Sequence, residues 1–382
     1  FTADCLRDVF KRYRERFFCG DAAGSLNAKT ASMIADWERG YLSASRIDGV
    51  LRLVKPRLNI APDELDADPF ALNLQNGVLD LKTGELRPHH PSEMVSKICP
   101  VSYDPTATSD VWQAFLDRIT DGDQELAGFL KRIVGYSLTG DTSEHALFLL
   151  YGGGANGKST FLNAFRHVMG DYAAQAETKS LMVNKSDGPR NDIARLAGSR
   201  FVETTEADAQ HKLDEGLVKQ VTGGDPVSAR FLYREHFEFL PQFKLWHATN
   251  ALPKIEGQDD GIWRRIHAVP MTAQIPAAER DPHLGHKLRE AAPAILAWAV
   301  QGCLEWQEQG LNAPKVVRDA TNRYRSDMDT VTQFLEECCE DDPAGMVGIP
   351  DLYEAYETFC YENVLQPTGK QQLIRRLEEL GY

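Results

Sequence analysis

The chain has 382 residues, of which 42% are hydrophobic and 26% charged, and its net charge is −14 at pH 7. This length favours two or three domains, and no apolar run approaches the roughly 20 residues of a membrane-spanning helix, so we expect no membrane association. The negative charge argues only weakly against a nucleic-acid-binding protein, because a ring can be acidic outside while a few Lys and Arg residues line its channel.

Seven cysteines are scattered at positions 5, 19, 99, 303, 338, 339 and 360, and no two have Cys-x-x-Cys spacing. This pattern favours reduced thiols in a cytoplasmic protein over a disulfide framework or a zinc site. The sequence shows no secretion signal. Because it begins at Phe1 instead of Met, we expect a fragment of a longer protein.

The first predicted region comprises residues 1–105. Residues 1–60 alternate charged and apolar residues at the spacing of amphipathic helices. Residues 71–105 change to short strands with the turn signals Asn76-Gly77 and Thr83-Gly84.

The second predicted region comprises residues 106–312 and begins with helix between Asp110 and Gly140. The residues expected to face a core recur at helical spacing: Trp112, Phe115, Leu116, Ile119, Leu126, Phe129, Leu130 and Ile133.

A phosphate-binding motif follows the apolar strand Leu147–Tyr151 and opens a predicted helix. Its glycines let backbone N–H groups surround a polyphosphate, and the positive end of the following helix attracts the same charge. Lys158 is expected to reach the outer phosphates of ATP, and Ser159 to hold Mg²⁺. The predicted nucleotide-binding residues are Gly152, Gly153, Gly154, Ala155, Asn156, Gly157, Lys158, Ser159 and Thr160.

Acidic residues end the next predicted strand. A phosphate-loop ATPase needs a carboxylate from a neighbouring strand to act on Mg²⁺ and on the attacking water. Glu206 is the first candidate, with Glu203 and Asp208 as alternatives.

A helix at residues 213–219 leads into Thr222-Gly-Gly-Asp225, and two strands then flank Arg234-Glu-His236. A hairpin with a basic tip and aromatic flanks suits a nucleic-acid backbone, although an ordinary solvent-exposed hairpin fits the pattern equally well.

The strand from Phe243 ends in Thr249-Asn250, and ligands of parallel sheets gather at such carboxyl ends. Asn250 is therefore a candidate for orienting the lytic water. In Trp263-Arg-Arg-Ile266, one arginine is a candidate arginine finger acting across a subunit boundary.

One long helix is predicted at residues 287–309. Residues 313–382 form the third predicted region, with three or four short helical segments that suggest a winged-helix or helix-turn-helix module. Lys370, Arg375 and Arg376 would lie on its recognition helix.

The order of these motifs resembles the superfamily-three helicases, and most of all the C-terminal part of phage and plasmid primases, related to the poxvirus primase-helicase. The resemblance starts near Leu72, includes Gly135-Tyr-Ser-Leu-Thr139, and covers about four-fifths of the chain. It implies an α/β fold with an AAA+-like phosphate-loop ATPase core, preceded by a helical and small-β region and followed by a winged-helix-like module.

The resemblance also implies roles for individual residues. Lys158 and Ser159 would hold the triphosphate and Mg²⁺, Glu206 would match the acidic second motif, and Asn250 the polar sensor. Arg265 would match the arginine that acts across the subunit interface. The residues implied to face DNA are Lys219, Arg230 and Arg234. Family members form hexameric rings that move along single-stranded DNA and unwind forked DNA, and a primase or polymerase domain would precede Phe1.

The preferred hypothesis is thus an ATP-driven DNA helicase encoded by a phage or mobile element and acting in the cytoplasm of a bacterial host. A replication initiator or loader that uses ATP as an assembly switch is the alternative. A small-molecule kinase explains the phosphate loop only and leaves Asn250 and the Trp-Arg-Arg motif without a role.

Overall fold

The computed structural model describes residues 44–54, 64–183, 191–205, 212–231, 235–342 and 344–382. The chain divides into two units, residues 1–65 and residues 66–382. Helix α1, Ala44–Val54, is the described element of the first unit. The helices predicted within residues 1–43 lie outside the described residues.

The second unit begins with a three-stranded antiparallel sheet: β1, Ala71–Leu74; β2, Gly77–Asp80; and β3, Glu85–Arg87. The two turns are those that the Asn-Gly and Thr-Gly pairs predict. Leu72, Leu74 and Leu79 are fully buried in the same apolar cluster as the helices that follow, so this sheet packs on the main core.

Two helices then supply one layer of that core: α2, Asp110–Ile119, and α3, Gln124–Leu138. Ser109 and Asp123 cap their first turns by accepting hydrogen bonds from backbone N–H groups. All eight apolar residues predicted to face the core are buried, as the helical periodicity requires.

The described residues after α3 contain seven further strands: β4, Leu147–Tyr151; β5, Ala173–Ala176; β6, Phe201–Thr205; β7, Val227–Arg230; β8, His236–Phe239; β9, Lys244–Thr249; and β10, Ile266–Pro270. Five of them form one parallel sheet in the order β10, β4, β9, β6, β5. The mixed α/β architecture expected from the sequence is confirmed. The strand before the phosphate loop lies inside the sheet, between β10 and β9.

The remaining helices are α4, Lys158–Met169; α5, Asn191–Ala194; α6, Glu215–Thr222; α7, Asp260–Trp263; α8, Leu284–Glu290; α9, Ala292–Gln309; α10, Lys315–Met328; α11, Thr330–Cys338; α12, Ile349–Glu362; and α13, Lys370–Leu380. The single helix predicted at residues 287–309 is wrong: Pro293 lies in the first turn of α9, so α8 ends before it.

The helices cover both faces of the parallel sheet. Helices α3, α4 and α9 share one apolar cluster with Phe148 and Trp246, and α6 and α10 share a second with Leu147 and Leu149. Helices α3 and α9 approach closely, since a Cβ atom on Gly302 would lie 2.0 Å from the Lys131 carbonyl oxygen. Successive residues of β4 thus point to opposite faces of the sheet and belong to two different apolar cores.

The C-terminal helices α11, α12 and α13 form a third apolar cluster that includes Phe334, Tyr356 and Leu373. The described residues 329–342 and 344–382 contain no strand, so the wing of the expected winged-helix module is not confirmed. No helix in the described part of the chain has both the length and the apolar character needed to cross a membrane.

Candidate nucleotide-binding and DNA-binding site

The phosphate loop, residues 152–157, connects the carboxyl end of β4 to the first residue of α4. The first four residues of β4 are fully buried, which fixes the start of the loop. Gly157 has φ +85° and precedes Lys158 without a side-chain cap, and the first turn of α4 contains no acidic residue. The N–H groups at this helix end are therefore suited to an anionic ligand.

Two glycines of the loop are required by close packing. A Cβ atom on Gly152 would lie 2.2 Å from the Met271 carbonyl oxygen, and one on Gly157 would lie 2.5 Å from Cγ2 of Ile119. Gly153 and Gly154 are exposed and have no atom within 4 Å of an added Cβ. The loop is therefore anchored at both ends and open in its middle, as a phosphate cradle requires.

Lys158 is buried at 6% exposure beneath this loop. Its Nζ donates hydrogen bonds to the carbonyl oxygens of Gly152, at 2.7 Å, and Gly153, at 3.3 Å, and to Oδ1 of Asn156, at 3.0 Å. Oδ1 of Asn250 lies 3.4 Å from the same nitrogen. The ammonium group thus lies where the loop and the neighbouring strand meet.

A segment after β10 holds the loop in this shape. Asn156 Nδ2 donates to the Met271 carbonyl oxygen at 2.9 Å, and the N–H of Ile275 donates to the Ala155 carbonyl oxygen at 2.9 Å. Ala155 has φ +61°, an uncommon conformation for a residue with a side chain. The sequence identified the loop but not these contacts from the segment after β10.

Asn250 follows β9, which pairs directly with β4 in parallel register, Tyr151 opposite Thr249. The carboxyl ends of the two strands are consequently adjacent. Thr249 is buried and its hydroxyl donates to the Ala251 carbonyl oxygen at 2.5 Å, which turns the chain immediately after the strand. The structure therefore brings the predicted Lys158 and Asn250 together.

The predicted carboxylates lie on or after β6, the strand on the far side of β9. Glu203 is almost fully buried and forms an ion pair with Arg166 of α4 at 2.7 Å; burial raises the pKa of its carboxyl group, against the opposing effect of Arg166. Glu203 is thus engaged inside the core, two residues before the end of β6. Glu206 and Asp208 lie outside the described residues.

The two arginines after α7 differ in exposure. Arg265 is 7% exposed; its Nε donates to the Thr222 hydroxyl at 3.0 Å and its Nη1 donates to the Gly261 carbonyl oxygen. Burial lowers the pKa of its guanidinium group. Arg264 is exposed. In this conformation Arg265 is held within its own chain, whereas Arg264 faces solvent.

The predicted DNA-facing residues are distributed over α6 and the β7–β8 hairpin. Lys219 Nζ contacts both carboxylate oxygens of Asp259, at 2.9 and 2.8 Å. Arg230 ends β7 opposite His236, and its buried Nε has no hydrogen-bond partner among the described residues. Arg234 lies outside them. The antiparallel hairpin itself is confirmed, with β7 ending at Arg230, earlier than expected, and with His236, expected in the tip, lying in β8.

Aromatic rings line one side of this hairpin. The ring of Phe231, which is 38% exposed, stacks on that of Phe237 with centroids 5.5 Å apart and an interplanar angle of 13°. Exposed aromatic faces beside cations are typical of surfaces that stack bases of single-stranded nucleic acid.

A cleft of about 1280 Å³ adjoins the phosphate loop on the side of α2, α4 and α8. Its lining includes Gly157 and Thr160 from the loop region, Asn163 from the next turn of α4, and the apolar side chains of Phe115 and Leu288. Sequence reasoning missed this cleft. Ser159, Asn163 and His167 are spaced four residues apart, so they share one face of α4. This spacing was the signal in the sequence that polar residues extend from the phosphate loop along the helix.

Family models match two parts of the chain. Residues 7–121 match a family described as D5 N terminal like, and residues 150–265 match a family of unknown function (DUF5906). The second match contains the phosphate loop, Asn250 and both arginines.

Individual relatives come from viruses. "Putative helicase L207/L206" of Acanthamoeba polyphaga mimivirus is 27% identical over 332 residues, which cover 80% of this chain and 34% of that protein. "Putative primase C962R" of African swine fever virus is 24% identical and covers 78% of this chain and 34% of its own length. The chain thus spans about a third of the length of these curated relatives.

Among solved structures, the A form apo structure of the NrS-1 C terminal region aligns with 63% of this chain and 62% of its own length, with 12% identity and a TM-score of 0.44.

Proposed function

Because the chain is related to viral helicases and primases, we propose that it is the helicase part of a primase-helicase, which hydrolyses ATP at the subunit interfaces of a hexameric ring and moves along single-stranded DNA. The observation that supports this most directly is the meeting of Lys158 with both the phosphate loop and Asn250. A primase or polymerase domain in the longer protein, and a phage or plasmid origin, belong to the same proposal.

The phosphate loop would bind the triphosphate through its backbone N–H groups and the amino end of α4. Lys158 would exchange its carbonyl acceptors in Gly152 and Gly153 for the outer phosphate oxygens, so its charge would be directed at the phosphoryl group that is transferred. Gly153 and Gly154 leave the space that this requires. The cleft beside Phe115 and Asn163 is the proposed position of the nucleoside.

The residues proposed to hold Mg²⁺ are Ser159 and Glu206. Ser159 is exposed at the mouth of the loop, which fits a metal-ligating hydroxyl. When bound, the ion would supply positive charge between the phosphates. Glu203 is disfavoured for this role by its buried ion pair with Arg166. Asn250 would orient the attacking water, since it is anchored beside Lys158 by the pairing of β9 with β4.

An arginine after α7 would have to act on the nucleotide of a second copy. Ile266 at the start of β10 pairs with Leu147 at the start of β4. Arg264 and Arg265 therefore lie at the amino ends of these strands, whereas their own phosphate loop follows the carboxyl end of β4. The five residues of β4 separate its two ends by about 16 Å. The exposure of Arg264 makes it the better candidate finger, with buried Arg265 holding the segment in place.

Single-stranded DNA is the proposed polymer substrate, contacted by Lys219, Arg230 and Arg234. Stacking of bases against Phe231 of the hairpin would add a contact that does not depend on sequence. Phosphate contacts by these cations would make the affinity fall with salt concentration.

Steady-state ATP hydrolysis with and without single-stranded DNA tests the proposal. We expect hydrolysis stimulated by DNA in the wild type and abolished in Lys158→Ala. Lys315→Ala is the matched control, because it removes an exposed lysine of α10 that pairs with Asp319 far from the loop in sequence.

The two rival functions give different results in this assay. A translocating helicase requires turnover that rises with DNA, followed by strand displacement. Slow hydrolysis indifferent to DNA, together with nucleotide-dependent assembly, would favour the initiator or loader instead. Hydrolysis that persists in Lys158→Ala would contradict the assignment of the phosphate loop.

A further inference from the structure

One face of helix α6 holds the segment at residues 256–265. Glu215, Lys219 and Thr222 stand at positions i, i+4 and i+7 of the helix, so they share that face. Glu215 Oε1 accepts hydrogen bonds from the first two backbone N–H groups of the segment, both at 2.9 Å. The Thr222 hydroxyl accepts from Arg265 Nε at the other end, at 3.0 Å. The helix thus fixes both ends of the segment.

The middle contact is the ion pair of Lys219 with Asp259. Lys219 Nζ lies 2.9 and 2.8 Å from the two carboxylate oxygens of Asp259. Asp259 directly precedes α7, and Arg264 directly follows it. A Cβ atom on Gly261 would lie 2.6 Å from Oδ1 of Asp259 and 3.6 Å from Cε of Lys219. The pair therefore lies against α7 and restrains the helix that carries the candidate arginine finger.

Of these three contacts, the middle one is the most accessible to a ligand. The side chains of Lys219 and Asp259 are 35% and 49% exposed. Thr222, by contrast, is 2% exposed, and the hydrogen bonds to Glu215 are partly buried. Ion pairs between exposed side chains are weak. A competing anion can therefore replace Asp259 at Lys219 while the contacts at both ends of the segment persist.

Helix α6 also leads to the surface proposed to contact DNA. It ends at Thr222, and β7 of the hairpin begins at Val227. Lys219 therefore belongs both to the proposed DNA surface and to the contact that holds α7. A DNA phosphate at Lys219 would bring a second negative charge beside the Asp259 carboxylate, with one ammonium group between them. Because like charges repel at such distances, the phosphate and Asp259 compete for the lysine.

We propose that the Lys219–Asp259 ion pair is an autoinhibitory contact, which a phosphate of single-stranded DNA breaks by taking Lys219 from Asp259. Loss of the pair relaxes α7, so that Arg264 can reach the nucleotide of a second copy. This regulation rests on the proposed function, because it requires DNA at Lys219 and a finger at Arg264. It supplies a physical link between DNA binding and the rate of ATP hydrolysis.

Three variants of the full chain break the pair in different ways. Asp259→Asn removes the negative charge with little change of shape, and Lys219→Ala removes the cation. Gly261→Ala keeps every charge and displaces the Asp259 carboxylate, because the new methyl carbon would lie 2.6 Å from Oδ1. Glu256→Gln is the matched control, since this carboxylate lies on the same segment but pairs with Lys212. Anisotropy of a fluorescent oligothymidylate measures DNA affinity, and steady-state ATP hydrolysis is measured without DNA and with saturating DNA.

We expect Asp259→Asn and Gly261→Ala to bind the oligothymidylate about two- to fivefold more tightly, because DNA no longer competes with Asp259; a fivefold change corresponds to about 1 kcal/mol, the upper end for an exposed ion pair. Their hydrolysis without DNA should rise by a similar factor, while the rate at saturating DNA stays at the wild-type value. Lys219→Ala should also raise hydrolysis without DNA, but it should weaken DNA binding. Glu256→Gln should match the wild type in both assays.

Three results would overturn the autoinhibition while leaving the proposed function intact, provided that DNA stimulates the wild type. The first is wild-type DNA affinity and wild-type hydrolysis in both Asp259→Asn and Gly261→Ala. The second is an equal fall of hydrolysis with and without DNA, which would mean that the pair only supports α7. The third is an equal gain in Glu256→Gln, which would assign the effect to the charge of the surface as a whole. A wild type that neither binds single-stranded DNA nor responds to it would contradict the proposed function and the autoinhibition together.

Discussion

Alanine substitutions in the phosphate loop should separate folding from nucleotide binding. In Gly157→Ala the new methyl carbon would lie 2.5 Å from Cγ2 of Ile119, and the residue would keep φ +85°. Overpacking costs about 1 to 3 kcal/mol and the left-handed conformation about 1 to 2 kcal/mol. We therefore expect a loss of about 2 to 5 kcal/mol in the free energy of unfolding.

Gly153→Ala and Gly154→Ala are the matched substitutions. Neither glycine has a positive φ, and an added Cβ meets no atom within 4 Å. Stability should stay the same or rise by about 0.4 to 1 kcal/mol, because alanine lowers the entropy of the unfolded chain. The methyl group would narrow the open side of the cradle, so nucleotide affinity should fall.

The assay pairs urea unfolding with titration of a fluorescent ATP analogue. Equal destabilisation of Gly154→Ala and Gly157→Ala would contradict the conclusion that the loop is closely packed at Gly157 and open at Gly154. Wild-type nucleotide affinity in both Gly153→Ala and Gly154→Ala would contradict the proposal that the phosphates bind beside these two glycines.

Three further predictions concern other parts of the site. Asn250→Ala should lower the rate of ATP hydrolysis about a hundredfold while nucleotide affinity changes little, as separate rate and binding measurements would reveal; an equal loss of affinity would instead assign Asn250 to binding. Arg265→Ala should lower the free energy of unfolding by about 1 to 3 kcal/mol, since the buried Thr222 hydroxyl and the Gly261 carbonyl oxygen lose their donor. Arg264→Ala should leave stability within about 0.5 kcal/mol and reduce hydrolysis by the assembled ring; loss of hydrolysis in neither variant would exclude a finger in this segment. Burial lowers the pKa of His247 to about 4, so below pH 6.5 the unfolded chain binds a proton that the folded chain does not, and stability falls as the pH drops toward 4. Between pH 7 and pH 5 this amounts to about 2 kcal/mol, and chemical denaturation of His247→Gln should lack that part of the pH dependence; identical pH profiles would contradict it.

The local structural units follow directly from the amino-acid sequence. Leu147–Tyr151 becomes a buried strand and the glycine-rich loop begins α4, because both depend on residues adjacent in the chain. The helical spacing likewise predicted α2 and α3 with their buried faces. The order of the motifs also indicated a relation to helicases and primases of replication, and the viral relatives are named putative helicase and putative primase.

Which of these residues come into contact depends on the arrangement of the strands and helices in three dimensions. Asn250 reaches Lys158 because β9 inserts between β4 and β6, a sheet order that no local pattern encodes. Glu203 and Arg265 are charged residues that a sequence pattern offers for chemistry. Packing places both inside the protein and supplies their partners. Burial of a charge depends on the elements that pack around it, which lie far apart in the chain, and this is why the sequence alone could not distinguish them from Arg264 at the surface.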